Sequence, residues 1–171
     1  MVKRLIAVIL VIFAACSFVI PAAATYEPTT FEVTAKAAML VSLDNGEVLY
    51  SKNPDERVYP ASLTKIMTAV VAIENIDDLE NTVMTTSQHA IDVLYGTDSS
   101  VFGLKPGEQL SAKDMLYVML IHSANESANV IAEHIAGSID AFVSLMNKKA
   151  EELGMTNTHY MNPHGLHDEN H

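Results

Sequence analysis

Ser62-Leu63-Thr64-Lys65 sets a hydroxyl and an amine three residues apart. On a helix that spacing places both side chains on one face, with Cβ atoms about 5–6 Å apart. A serine so placed can attack a carbonyl carbon if the amine accepts its proton. An amine at its ordinary pKa of ~10.4 stays protonated at neutral pH, so burial or nearby positive charge must lower it. Leu63, Ile66 and Met67 are all apolar, which argues for burial, and a lysine on a buried helix needs a reason to be there. Pro60 and Ala61 place Ser62 in the first turn, where free N–H groups and the helix dipole favour developing negative charge. The same pattern also arises as an N-cap serine followed by a solvated lysine, so it speaks for chemistry only in context.

A second polar element, Ser-x-Asn, occurs twice: Ser123-Ala124-Asn125 and Ser127-Ala128-Asn129. The copies lie one helical turn apart, and spacing does not choose between them. Ser123 follows the apolar Met119 to Ile121 and falls between two helices, where a side chain can face a cleft. Ser127 and Asn129 fall inside the next helix. Ser123 and Asn125 are therefore the preferred pair; the alternative is two polar caps at a helix start.

The elements that must position these groups follow from periodicity. Ala37 to Leu43 and Glu47 to Ser51 are β-prone and flank Asp44-Asn45-Gly46, a hairpin signal. From Ser62 the apolar spacing becomes helical through Leu63, Ile66, Met67, Val70, Val71 and Ile73, and the scarcity of charge predicts a central, buried helix. Leu104-Lys105-Pro106-Gly107 reads as a turn. Ser111-Ala112-Lys113-Asp114 opens a helix carrying Met115, Leu116, Met119 and Leu120. Another runs from about Glu126 to Ala136 and stops at Gly137. Ser138 caps the last, which carries Phe142, Val143, Leu145, Met146 and Leu153 and ends at Gly154. Met115, Met119, Met146 and Met155 fall at or beside apolar positions and read as core filling. A hairpin followed by helices is an α+β pattern whose sheet has too few strands to stand alone.

Residues 1–24 read as an export signal: Lys3 and Arg4, an apolar run from Leu5 to Ile20, and the small residues Ala22-Ala23-Ala24. The run is shorter than the ~20 residues of a membrane span. A retained anchor, or a lipoprotein box at Phe13-Ala14-Ala15-Cys16, is the minority reading. Residues 25–36 form a leader and 37–171 the folded segment. Cleavage leaves 147 of the 171 residues, removes the only cysteine, and takes Lys3 and Arg4 away, moving the net charge from −11 to −13. That sign argues against nucleic-acid binding. No disulfide and no thiolate metal site is then available.

From Ala37 to the last residue the chain resembles the D-alanyl-D-alanine carboxypeptidases, the low-molecular-mass penicillin-binding proteins. Tyr59-Pro60-Ala61-Ser62-Leu63-Thr64-Lys65-Ile66-Met67-Thr68 is similar to that family's active-serine segment. Leu104-Lys105-Pro106-Gly107-Glu108 resembles its turn before the middle helices, and Ser123-Ala124-Asn125-Glu126-Ser127-Ala128-Asn129 its second motif, which places that motif at Ser123. Gly154-Met155-Thr156-Asn157-Thr158-His159 and Asn162-Pro163-His164-Gly165-Leu166 resemble the loop after its long helix. The resemblance implies a β-lactamase/transpeptidase-like fold, an antiparallel sheet packed with a helical subdomain, of which the N-terminal hairpin is present here. It implies that Ser62 attacks the carbonyl between the last two D-alanines of a peptidoglycan stem peptide, that Lys65 is the general base and that Ser123 relays a proton to the leaving amine. Asn125 would bind the substrate amide and the lysine, and the Ser62 N–H would supply half of an oxyanion hole. β-Lactams would acylate the same serine, with no cofactor and no metal.

The family's Lys-Thr-Gly strand, which supplies the other oxyanion donor and a cation for the substrate carboxylate, does not occur before His171. The expectation is a chain truncated before that strand, with an unpaired hairpin edge, that neither folds stably nor turns over substrate, although the full-length protein does. A C-terminal membrane anchor would lie in the same missing part. Class A β-lactamases share Ser-x-x-Lys but carry an Asp where Ala124 stands. A non-catalytic binding relative would keep its ligand when Ser62 becomes alanine. His159, His164, His167 and His171 cluster near the end, but fit no helix face and no carboxylate–histidine helix motif, and read as solvated loop histidines rather than metal ligands.

Overall fold

A computed structural model describes residues 33–171; the export signal and most of the leader lie outside the described residues. The chain forms two compact units, one ending at Glu56 and one from Arg57 to His171. In the first, β1 (Ala38–Val41) and β2 (Val48–Lys52) pair antiparallel, with Met39 opposite Ser51 and Leu40 opposite Tyr50. The register shifts between Leu40 and Val41. The turn closes through Ser42 N–H to Glu47 O at 2.8 Å and Glu47 N–H to Asn45 Oδ1 at 3.0 Å, so asparagine holds the backbone it turns. Lys52 Nζ donates to Val33 O at 2.6 Å and Asn53 Nδ2 to Lys36 O at 2.8 Å, fastening the strand that leads in.

The second unit begins with a 3₁₀ turn, Ala61–Leu63, that runs into α1 (Thr64–Asn75). β3 (Val83–Thr85), the short α2 (Gln88–Asp92) and β4 (Gln109–Ser111) follow. Then come α3 (Ala112–Ile121), α4 (Asn125–Ala136) and α5 (Ile139–Glu152). β3 and β4 pair antiparallel, Met84 facing Leu110. Neither these strands nor α2 is announced by the sequence pattern, because three to five residues are too few to display a period.

α4, not α1, is the central helix of this unit. Residues 125–132 are all buried, and α4 packs against α1, α2, α3, α5 and β3. α1 buries Met67, Ala69, Val71 and Ala72 but leaves Ile66 and Ile73, like Leu63 of the turn before it, more than half exposed. Its apolar residues thus occupy two faces, and only one of them meets α4 and α5. Met84, Met115, Met119, Ile131, Phe142 and Met146 are fully buried in the core, with Met155 partly buried against it, so the methionines do fill the interior. The helix ends follow the sequence signals. Ser111 Oγ accepts from Asp114 N–H at 3.0 Å and Ser138 Oγ from Ala141 N–H at 3.1 Å. Gly137, at φ +78°, closes α4 in the left-handed conformation.

Candidate active site

The chain enters α1 through a strained turn. Ala61 has φ +47°, a left-handed conformation that costs a residue with a Cβ about 1–2 kcal/mol. Leu63 N–H then donates to Pro60 O at 3.1 Å, so Ser62 lies in the 3₁₀ turn with an exposed side chain rather than in α1 itself. Lys65 is in the first turn of α1 and only 2% exposed. Its Nζ lies 3.2 Å from Ser62 Oγ and donates to Asn125 Oδ1 at 2.7 Å and to the backbone oxygen of His164 at 2.9 Å.

Ser123 sits between α3 and α4 with φ +59° and donates its hydroxyl to Ser62 Oγ at 2.8 Å. Asn125 begins α4. Its backbone N–H donates to Ser100 O at 2.9 Å and its Nδ2 to Ser99 Oγ at 3.2 Å, which leaves Oδ1 for the lysine. The structure therefore brings Ser62, Lys65, Ser123 and Asn125 together. The second Ser-x-Asn copy is elsewhere: Ser127 donates to Met115 O at 2.6 Å and Asn129 to Ala90 O at 3.0 Å, both buried.

Burial lowers the Lys65 amine from 10.5 to about 8, with the Glu126 carboxylate pulling it partly back up. A neutral amine has two N–H bonds and one lone pair. Asn125 Oδ1 and His164 O take the two N–H groups, and the lone pair is left to face Ser62 Oγ. That is the arrangement a proton acceptor needs.

The loop after α5 completes the site. Asn162 Oδ1 accepts from Gly165 N–H at 2.7 Å, and its Nδ2 donates to Leu166 O at 2.8 Å, curling residues 162–166 into a compact turn. Thr68 donates its hydroxyl to Pro163 O at 2.5 Å, tying the loop to α1. Gly165, at φ +84°, lies so close to the turn that carries Ser62 that a Cβ there would stand 1.8 Å from Ala61 O.

Two of the four histidines, His164 and His171, depart from the solvated picture, whereas His159 and His167 are exposed. His164 is 6% exposed, and burial first, then the charges of Lys65 and His171, hold its imidazole down at about 3. His171 Nε2 lies 2.7 Å from Thr64 Oγ1, and the His167 ring meets the Tyr59 ring edge-on at 4.6 Å. Among the described residues no group of three His, Cys, Asp or Glu side chains is placed to hold a metal ion.

Residues 22–171 match the D-alanyl-D-alanine carboxypeptidase family of peptidases. The chain belongs to that family. All four clustered residues fall inside the matched span. The D-alanyl-D-alanine carboxypeptidase DacF of Bacillus subtilis is 44% identical over 140 residues, which cover 80% of this chain and 35% of that one. A D-alanyl-D-alanine endopeptidase of Pseudomonas aeruginosa is 38% identical over 139 residues, covering 81% and 44%. The crystal structure of penicillin binding protein 5 from Haemophilus influenzae superposes with a TM-score of 0.74 at 35% identity, over 83% of this chain and 42% of that one. This carboxypeptidase-family chain thus spans well under half the length of the curated relatives it matches.

Four participants in the site have no chemical signature in the sequence of this family member. The His164 carbonyl acts through its backbone, and Gly165 through the absence of a side chain. Ser99 and Ser100 lie in an irregular segment from a distant stretch of chain. The resemblance of Asn162-Pro163-His164-Gly165-Leu166 to a family loop was visible, but not where that loop docks.

Proposed function

We propose that Ser62 is the acylated nucleophile of a serine-type D-Ala-D-Ala carboxypeptidase, with Lys65 as general base, Ser123 as proton relay and Asn125 as anchor for the substrate amide and the lysine. Ser62 Oγ bonds to the carbonyl carbon of the penultimate D-alanine of a peptidoglycan stem peptide while its proton passes to Lys65 Nζ. As the C–N bond breaks, that proton returns through the Ser123 hydroxyl to the leaving nitrogen. D-Alanine departs, and an ester remains on Ser62. Water then adds to the ester and releases the trimmed peptide. A β-lactam follows the same first step, except that its amine stays tethered, so the ester persists.

The observation that carries this reading is Lys65 Nζ, a buried amine, 3.2 Å from Ser62 Oγ, with Ser123 Oγ 2.8 Å from the same oxygen. Peptide mapping of the full-length protein after labelled ampicillin tests it. The label is expected on Ser62, together with release of D-alanine from a peptide ending in D-Ala-D-Ala; an unlabelled serine refutes the assignment. Slow loss of the penicilloyl group separates a carboxypeptidase from a β-lactamase. Lys3, Arg4, the apolar run and Ala22-Ala23-Ala24 support export to the outer face of the cytoplasmic membrane or the cell wall. A mature N-terminus at Thr25 is expected on sequencing the exported protein, and an intact Met1 there would contradict it.

The lowered lysine gives the pH dependence its sign. Only the neutral amine accepts the serine proton, so the acylation rate rises with pH, about tenfold per unit well below the lysine pKa. It levels off above a midpoint near 8. Rates of penicillin acylation measured from pH 6 to 10 check this, and a flat profile would exclude Lys65 as the base.

A further inference from the structure

Glu126 follows Asn125 directly, yet none of the steps above uses it. Its side chain is 2% exposed, an expensive place for a carboxylate unless hydrogen bonds compensate. One oxygen, Oε1, accepts the backbone N–H of Phe102 at 2.7 Å and of Gly103 at 2.8 Å, and lies 3.4 Å from that of Leu104. These are bonds of the strong, charge-assisted kind. They fix a segment, residues 98–105, that has no helix or strand of its own.

The near end of that segment holds the catalytic turn. Ser99 Oγ and Ser100 O receive the side chain and backbone of Asn125. Ser100 Oγ donates to His122 O at 3.3 Å, His122 Nε2 lies 3.2 Å from Val101 O, and the Phe102 and His122 rings meet edge-on at 5.3 Å. His122 in turn precedes Ser123, whose left-handed backbone needs outside support to persist.

We propose that Glu126 is a positioning residue: its carboxylate anchors residues 102–104 as a brace, and the brace sets Asn125 against Lys65 and holds the turn that carries Ser123. The inference rests on the Ser62 acylation reading for its functional consequence, but its structural half can be measured separately.

Glu126→Ala and Glu126→Gln in the full-length protein test both halves, by amide hydrogen exchange over residues 99–104 and by labelled-penicillin acylation against pH. Alanine removes the acceptor, so the Phe102 and Gly103 amides are expected to exchange at least ~10-fold faster. Acylation should slow ~10- to 100-fold, the scale of a displacement near 1 Å. Glutamine keeps an acceptor oxygen and is expected to restore most of the rate. It also removes a negative charge beside Lys65. The other titratable group facing that amine is His164 of the 162–166 loop, already neutral, so the acylation midpoint should move to lower pH.

Wild-type exchange at Phe102 and Gly103 in Glu126→Ala, or a wild-type acylation rate there, would overturn the proposal. If alanine prevents folding, Glu126→Asp, whose shorter carboxylate falls short of the Phe102 and Gly103 amides, takes its place, and wild-type exchange at those amides overturns the proposal. If the unmutated protein carries no label on Ser62, the acylation reading falls and the exchange comparison still decides whether Glu126 braces the segment.

Discussion

In the full-length protein, methionine in place of Lys65 is expected to slow acylation of Ser62 by a labelled penicillin about 10³-fold or more, while the fold is kept. General-base catalysis contributes typically ~10²–10⁴-fold, and among the described residues no other group in contact with Ser62 Oγ could take over the role proposed for Lys65. Ser123 is the other neighbour, at 2.8 Å, but a hydroxyl is far too weak a base to hold the proton. Methionine matches the lysine stem in length and flexibility, so the 2%-exposed site stays filled. Asn125 Oδ1 and His164 O lose their donor, at about 1–3 kcal/mol for each buried acceptor left unpaired. Removing an amine that burial already disfavours offsets part of that cost. A thermal melt run beside the labelling separates the two effects. Equal labelling of the methionine variant and the parent would end the case for Lys65. Ser62→Ala complements the test: a binding protein would still retain the antibiotic reversibly, whereas an acylating enzyme loses the covalent adduct.

How much of this site could be read from residues alone depends on whether side chains or backbone do the work. Ser62 and Lys65 were legible because residues three apart stay neighbours where the 3₁₀ turn runs into α1, although the turn itself was not foreseen. The caps at Ser111 and Ser138 and the stop at Gly137 were legible for the same local reason. The preference for Ser123 over Ser127 comes from its place between two helices and from the family resemblance, because spacing alone does not separate two copies one turn apart. Tertiary placement decides it, with Ser123 reaching Ser62 Oγ and Ser127 turned to Met115 O. Charge-poor α1 suggested full burial, but a helix with two apolar faces does not say which face its own unit covers. Ile66 and Ile73 are exposed among the described residues, and α4 takes the centre. Least legible were the contacts that run through carbonyls and positive φ angles. Nothing in the identities of Ala61 and Ser123 announces a left-handed backbone, and His164 enters the site as a peptide oxygen rather than as an imidazole.

Gly165 shows what such a contact is worth. A Cβ at this position would lie 1.8 Å from Ala61 O, 2.3 Å from Ala61 C and 2.9 Å from Thr64 Oγ1. Two of these are backbone atoms of the turn that carries Ser62, so no flexible side chain can swing aside. Either the loop lifts off α1 or the Ala61 peptide moves. The first loosens His164 O from Lys65 and Pro163 O from Thr68; the second shifts Ser62. Gly165→Ala is therefore expected to lower acylation about 10²-fold, since displacements near 1 Å cost that much. Overpacking should destabilise the fold by about 1–3 kcal/mol at the same time. Gly137→Ala is the matched control, because its φ of +78° is close to the +84° of Gly165 while a Cβ there would meet nothing within 4 Å. Its cost is limited to the left-handed strain, about 1–2 kcal/mol, with acylation per folded molecule unchanged. Measured together, the pair separates conformational strain from steric contact. If both alanines acylate Ser62 at the parent rate, the close approach of the loop does not position the serine, and if both are equally impaired the loss belongs to strain alone.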